Sequence, residues 1–418
     1  MQKLIFDEPY EFVPPYRGTF LSWAFRFYLP HFMRQRYGLQ SWKTYGLDHL
    51  RASLNADLGI ILCPNHSRSS DPLLSGAITT EIPCHVYAMA SWHVFKQNWL
   101  ESFVAHRVGA FSVYREGLDR KALDTAIDIV ATAERPLMVY PEGVISAAND
   151  RLLTLMDGTA FIARTALKKR LKTHPDSGVV IHPVAYRYQH HGDPEKLLPP
   201  VLTRLEKHVF WQAQGHLSPL ERTLKLRSAV LAAREVQILG EARSGDAEVR
   251  IAQLVDHILH QYEAEWLGAM RTGDVVQRVK ELRAVILPDM VRAAVDDAER
   301  KRRWTHLTDL YYAQCLSLHV PGYLNPSLPA ERLNHRLFET VERLEEELTD
   351  HVTSYPDLHV DVKVGEPIPV KPIDRSQRDN DPLMAELRAR MLELLGVTDD
   401  WPPVPVTRLE RSDSDMLP

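Results

Sequence analysis

Between residues 46 and 190, short apolar runs alternate with stretches whose apolar positions recur every three or four residues. This alternation constrains the fold more than any other feature. LGIILCP (58–64), IPCHVYAMA (82–90), VGAFSVYR (108–115), RPLMVYP (135–141) and SGVVIHPVAYRY (177–188) read as strands, rich in Val, Ile and Tyr and often bounded by Gly or Pro. Between them DPLLSGAITT (71–80), WHVFKQNWLESFVAHR (92–107), LDRKALDTAIDIVATAE (118–134) and LMDGTAFIARTALKKRLK (155–172) suit helices of ordinary length. Strand–helix alternation predicts an α/β fold, a mostly parallel sheet flanked by helices. Pro183 is expected to break the last of these strands.

In an open sheet of this kind, groups just past the carboxyl ends of parallel strands converge on one crevice. His66, Arg115 and Glu142 each stand at such a position. His66 opens NHSRSSDPLL (65–74), which also holds Asp71. With nineteen histidines in the chain, chance supplies about one His-x-x-x-x-Asp pair. Asp71 before Pro72 and an apolar run is equally a helix N-cap with proline in the first turn. Similarly, Arg115 has Glu116 and Asp119 within reach as plain ion-pair partners, and Glu142-Gly143 suits a strand-end turn. His93 lacks a partner at useful spacing and reads as structural; His190 and His191 read as part of an exposed loop.

Taken in order, Asn65-His66-x-x-x-x-Asp71, GAFSVYR (109–115), YPEG (140–143) and VIHPV (180–184) resemble the glycerolipid acyltransferase family, the lysophosphatidate and glycerol-3-phosphate acyltransferases. That family carries N-H-x-x-x-x-D, G-x-x-F-I-x-R, F-P-E-G-T-R and V-x-P-V. The resemblance covers about residues 60–190, with an echo at VKVGEPIPV (362–370), and leaves the later helical region uncovered. It implies transfer of a fatty acyl group from acyl-CoA or acyl-carrier protein to the hydroxyl of a lysophospholipid such as 1-acyl-glycerol-3-phosphate, in phospholipid biosynthesis. No metal or redox cofactor is implied.

Within the resemblance His66 is the general base, because a histidine can take a hydroxyl proton near neutral pH. Asp71 bonds the other imidazole nitrogen and fixes the tautomer. Arg115 carries the acceptor phosphate, for which a planar guanidinium is well shaped. Asn65, Glu142 and Gly143 complete the substrate-binding set, and backbone N–H groups beside His66 form an oxyanion hole. No G-x-S-x-G nucleophile elbow occurs, and none is needed. After Glu142-Gly143, Val144 and Ile145 stand where the family has Thr-Arg, and Asp157 precedes Gly158 where relatives have lysine. Those departures point to an acceptor with a different headgroup. The alternative is a catalytically degenerate relative that binds lipid or membrane without turnover.

A net charge of −5 argues against a general nucleic-acid binder. Cys63, Cys84 and Cys315 are scattered, with no metal-ligand spacing, which fits a reducing compartment. The start of the chain lacks a signal-peptide pattern, and no apolar run is long enough for a conventional transmembrane helix. Residues 16–46 nevertheless interleave Phe20, Trp23, Phe25, Phe27, Tyr28 and Phe32 with arginines and no acid. That mixture suits a helix pair lying in a membrane interface, or a helix docked on its own domain. The expected location is the cytoplasmic side of a membrane, peripheral or interfacial.

Four segments result: 1–45, an aromatic and basic amphipathic helical segment; 46–205, the acyltransferase α/β domain, with 355–372 returning to its sheet; 206–354, a helical insertion; and 373–418, a terminal helix and tail. In the third segment helices are expected over 218–239, 246–268, 274–314 and 330–352, with Pro288 splitting the long one. Their charges past 270 read as solvated faces. No internal repeat is expected.

Overall fold

The alternating runs become one mixed sheet in the computed structural model, which describes residues 5–96, 98–373 and 381–398. Its strands are β1 (Leu39–Tyr45), β2 (Gly59–Pro64), β3 (Tyr87–Ser91), β4 (Ala110–Val113), β5 (Leu137–Met138), β6 (Val179–His190), β7 (Leu358–Val364) and β8 (Ile368–Pro369). They lie in the order β1-β7-β6-β2-β5-β3-β4, with β8 paired to the first half of β6. All neighbours are parallel except β7 and β8, which run antiparallel to β6. The fold is α/β with a mostly parallel sheet between helical layers.

Two cores sit on the two faces, and strand parity assigns each side chain to one of them. Ile61 and Cys63 of β2 join one cluster, Ile60 and Leu62 the other. The first face is covered by α5 (Arg120–Thr132), α6 (Gly158–Arg170) and α13 (Pro382–Leu395); the second by α1 (Phe20–Tyr37), α2 (Leu47–Asn55) and α3 (Ser75–Glu81). Strand β6 runs through Pro183 without a break. The parity of its buried residues is unchanged across that position, and the antiparallel neighbour changes there from β8 to β7. A proline is tolerated where a strand exchanges partners, because its missing N–H then falls between two ladders.

The first 45 residues are not a separate helical segment. Residues 5–19 are irregular, and Val13 exchanges hydrogen bonds with Ser112, its N–H to Oγ at 2.8 Å and its carbonyl from the Ser112 N–H at 3.0 Å. Of the described residues in this stretch, 20–37 are helix and 39–45 are the edge strand β1. Helix α1 buries Leu29 and Met33 but leaves Phe20, Trp23 and Phe27 at 75, 47 and 69% exposure. A further short helix, α4 (Trp99–Arg107), has no buried residue and exposes Trp99, Leu100 and Phe103. Among the described residues no helix is long and apolar enough to cross a membrane.

The chain divides into two units. Among the described residues, one is built from those up to Leu197 together with those between 329 and 398; the other runs from Leu198 to Leu328. The second holds most of α7 (Pro194–Glu206), then α8 (Pro219–Leu239), α9 (Ala247–Leu267), α10 (Val275–Val291) and α11 (Asp297–Ser317). Pro288 lies in the last turn of α10, and the chain breaks before α11. The last helix of the expected insertion, α12 (Ala330–Thr349), belongs to the sheet-containing unit instead, where it packs on β6. Helix α13 follows from Pro382; the tail SDSDMLP lies outside the described residues.

The helical unit contains an internal repeat. EVQILGEARSGDAEVR (235–250) and EAEWLGAMRTGDVVQR (263–278) share Glu, Leu-Gly, Arg, Gly-Asp and Arg at matching places. In both, the glutamate accepts the N–H eight residues on and clasps the guanidinium fifteen residues on. Glu235 pairs with Arg250 at 2.6 Å and Glu263 with Arg278 at 2.7 Å, all four side chains being buried. Asp246 and Asp274 cap the following helices, and Gly245 and Gly273 adopt the positive φ that the turn requires. Glu206, Gln214 and Arg222 form a looser copy. The charged helices are therefore not simply solvated faces: both partners of each clasp are interior.

Candidate active site

Strand β2 ends at Pro64, opposite Val184, whereas β6 continues for six more residues. The exposed backbone of that overhang needs partners on its β2 side. Two asparagines supply them. The Asn65 amide accepts the Tyr186 N–H at 2.7 Å and donates to its carbonyl at 3.1 Å. Two residues along, Asn149 does the same for Tyr188, at 2.9 and 3.1 Å. Both side chains act as pegs that hold a loop to the strand. Asn65 is thereby directed at β6 and is essentially inaccessible.

His66 follows the first peg. Its Nδ1–H donates to Asp71 Oδ2 at 2.9 Å. The ring lies against Tyr140, centroids 4.3 Å apart, and the side chain keeps 15% exposure. Asp71 is fully buried, and besides His66 it accepts the Arg68 N–H at 2.8 Å and the Tyr188 hydroxyl at 2.5 Å. It opens the 3-10 turn Asp71–Leu74, yet its carboxylate caps no N–H of that turn. The N-cap reading of Asp71 fails here, because the side chain turns back onto the residues before it.

Glu142 ties this loop to the next. Its Oε1 accepts the His66 N–H at 2.6 Å and its Oε2 the Leu153 N–H at 2.8 Å. Burial pushes this carboxyl up to about 7, against the lowering effect of the two N–H donors. Ser146 closes the loop with its N–H on the His66 carbonyl at 2.7 Å. Of the amides beside the base, those of His66 and Arg68 are thus already taken by carboxylates. Gly143 turns the chain at φ +71°, and a Cβ there would collide with Met156. Its carbonyl accepts from Arg115, which lies two residues beyond β4. Burial lowers the Arg115 pKa. Asp119 is spent as the cap of α5, accepting from Ala122 and Tyr114 at 3.0 Å. The departing residues divide: Val144 is buried and Ile145 exposed.

His66, Asp71, Glu142, Gly143 and Arg115 thus form one bonded constellation at the carboxyl ends of β2, β4 and β5, with Asn65 beneath it. Several residues missed by sequence reasoning support it. Tyr188 of β6 bonds the base's partner Asp71, and Tyr140 of the loop after β5 lies against the base itself. Arg388 of α13 donates to the Leu152 and Leu153 carbonyls at 3.1 and 2.7 Å. From α12, Glu342 pairs with Arg68 at 2.8 Å, Glu339 accepts the Asn149 N–H at 3.0 Å and Arg336 donates to Asp150 at 2.9 Å. The period-two pattern of VAYRYQH hinted at Tyr188; nothing local in the sequence tied α12 to these loops.

His93 sits beside Arg115, with burial lowering its pKa to about 4. His190 ends β6 rather than occupying an exposed loop: it is buried, stacked on Phe338 at 4.6 Å and hydrogen-bonded by Arg68 at 2.9 Å. His182 is a core residue, bonded to Ser53 and the Gly365 carbonyl, each at 2.9 Å. Among the described residues no group of His, Cys, Asp and Glu could hold a metal ion. Residues 42–187 match the family model described as Acyltransferase. No curated protein matches the chain.

Proposed function

We propose that this chain, whose residues 42–187 carry an acyltransferase domain, moves a fatty acyl group from an acyl thioester to the hydroxyl of a lysophospholipid. The observation that carries this reading is the His66–Asp71 contact of 2.9 Å in a site that leaves the imidazole edge accessible. With Nδ1–H bound to Asp71, the lone pair resides on Nε2, where it accepts the acceptor's hydroxyl proton. The hydroxyl oxygen bonds to the thioester carbonyl carbon, the C–S bond breaks, and the thiolate leaves with the proton returned by the imidazolium. Such a base contributes roughly 10²–10⁴-fold.

In this reading the donor is acyl-CoA or acyl-carrier protein, and the acceptor is 1-acyl-glycerol-3-phosphate or a lysolipid with a related headgroup. Arg115 supplies the cation for that headgroup. Asn65 ties the residue before His66 to β6, Glu142 accepts the His66 N–H, and Gly143 gives the turn its close approach to Met156. The protein works at a membrane surface, in phospholipid biosynthesis. The exposed aromatics of α1 and α4 favour such a surface, with the exposed Arg34 and Arg36 of α1 beside them for anionic headgroups.

The test is thioester consumption across a panel of lysophospholipids, wild type against His66→Gln. A fall of about 10²-fold or more in kcat for the variant is expected. Wild-type protein that binds vesicles but turns over no acceptor would instead identify a lipid-binding relative without catalysis.

A further inference from the structure

Asp71 is a buried carboxylate whose two oxygens face different partners. Oδ2 takes the His66 Nδ1–H and the Arg68 N–H; Oδ1 takes the Tyr188 hydroxyl. A donor on Oδ1 holds negative charge there and weakens the pull of Oδ2 on the imidazole proton. Nothing in the local geometry lets Tyr188 turn away. Its main-chain N–H and carbonyl are both pegged by Asn149, its hydroxyl receives Ser70 at 2.9 Å, and the Arg68 guanidinium covers its ring at 5.1 Å. Arg68 is itself held by Glu342 of α12, and the same helix takes the Asn149 N–H through Glu339.

We propose that Tyr188, clamped through Arg68 and Asn149 by α12, is a positioning residue that sets how strongly Asp71 draws the His66 proton. The inference rests on the acyl-transfer reading for its kinetic consequence. Besides Asp71 and Arg68 of its own loop, His66 is faced by Tyr140 and Glu142 from the loop after β5; Tyr186 and Tyr188 from β6 act on it through Asp71, and Glu342 through Arg68. Burial and the nearby Asp71 charge hold the Tyr188 phenol far above its usual range, so it stays a donor wherever the base works. Removing its hydroxyl and removing the Glu342 charge then act with opposite sign. The first concentrates charge on Oδ2 and favours the imidazolium. The second leaves Arg68 with only Glu339 to offset its charge and disfavours it.

Tyr188→Phe and Glu342→Gln are compared with wild type in full-length protein, by steady-state thioester assay over a pH series. For Tyr188→Phe we expect kcat down about ten-fold, KM for both substrates within about two-fold, and the acid limb of kcat moved up by about half a unit or more. For Glu342→Gln the limb moves down. The imidazole signals of ¹³C-histidine-labelled protein, with His66 assigned by its loss in His66→Gln, report the same shifts without turnover. An inactive wild type would therefore refute acyl transfer while the titrations still decide this proposal. Limbs and titrations that stay put in both variants, or move together, overturn it, since a merely structural role lowers the active fraction without displacing either. If Tyr188→Phe fails to fold, the downward shift in Glu342→Gln alone sustains the proposal and its absence overturns it.

Discussion

Replacing Asn65 with alanine separates a peg from a substrate ligand. Among the described residues the amide is the β2-side partner of the Tyr186 N–H and carbonyl, at 2.7 and 3.1 Å, in a position with 1% exposure. Strand β2 has already ended at Pro64, so no ladder can take over. Each buried backbone group left unpaired costs about 1–3 kcal/mol. Two of them put the loss at about 3 kcal/mol, or a Tm drop on the order of 6 °C for the sheet-containing unit. Because His66 is the next residue, kcat falls with stability, while KM for the acceptor stays within about two-fold. Calorimetry and acceptor saturation curves on Asn65→Ala read both quantities. A variant with unchanged Tm and a raised acceptor KM would refute the peg and return Asn65 to the acceptor.

Three further outcomes follow from single features. Glu142, raised by burial from 4.5 to about 7, favours the folded state most below 4.5, and that contribution is lost as pH rises through 7. Glu142→Gln, neutral throughout, should gain about 3 kcal/mol relative to wild type between those limits; parallel urea-midpoint profiles against pH would contradict the assignment. Serine at Phe20, Trp23 and Phe27 together should cut binding to anionic vesicles by about ten-fold or more with Tm unchanged, and equal co-sedimentation would remove α1 from the membrane contact. Glu235→Ala leaves Arg250 buried without its partner and should destabilise the helical unit by about 3–5 kcal/mol, a change under about 1 kcal/mol refuting the clasp.

What could be read in the chain depended on how local the cause was. The strands announced themselves because burial on both faces makes their runs continuously apolar, as in β2 and the first half of β6. β1 hid inside the aromatic stretch because an edge strand is buried on one face only, and LQSWKTY resembles a helix end as much as a strand. The histidine, the aspartate and the Pro-Glu-Gly turn were visible at fixed spacing on strand ends. Their supports were not, because Tyr188, Asn149, Arg388 and Glu342 meet the site only through contacts between residues far apart in sequence. The purpose of Asp71 shows the limit: cap and catalytic partner have the same local signature, and only the direction of the carboxylate distinguishes them.

The repeat in the helical unit failed to register for a different reason. Hydrophobic periodicity is the usual guide, but the two copies share no apolar stripe that sets them apart from neighbouring helices. What repeats is polar: a glutamate four residues before the helix end, a Gly-Asp cap and an arginine four residues after that cap. Such a set makes sense only as one device. The glutamate satisfies an N–H of the connecting loop and neutralises the arginine from the next helix, so each clasp fixes the angle between consecutive helices where a two- or three-residue apolar contact would leave it loose. A buried ion pair of this kind adds little to net stability compared with well-packed apolar residues. Its retention at matching places therefore argues for geometry: the helical unit is built to hold its helices in a set succession.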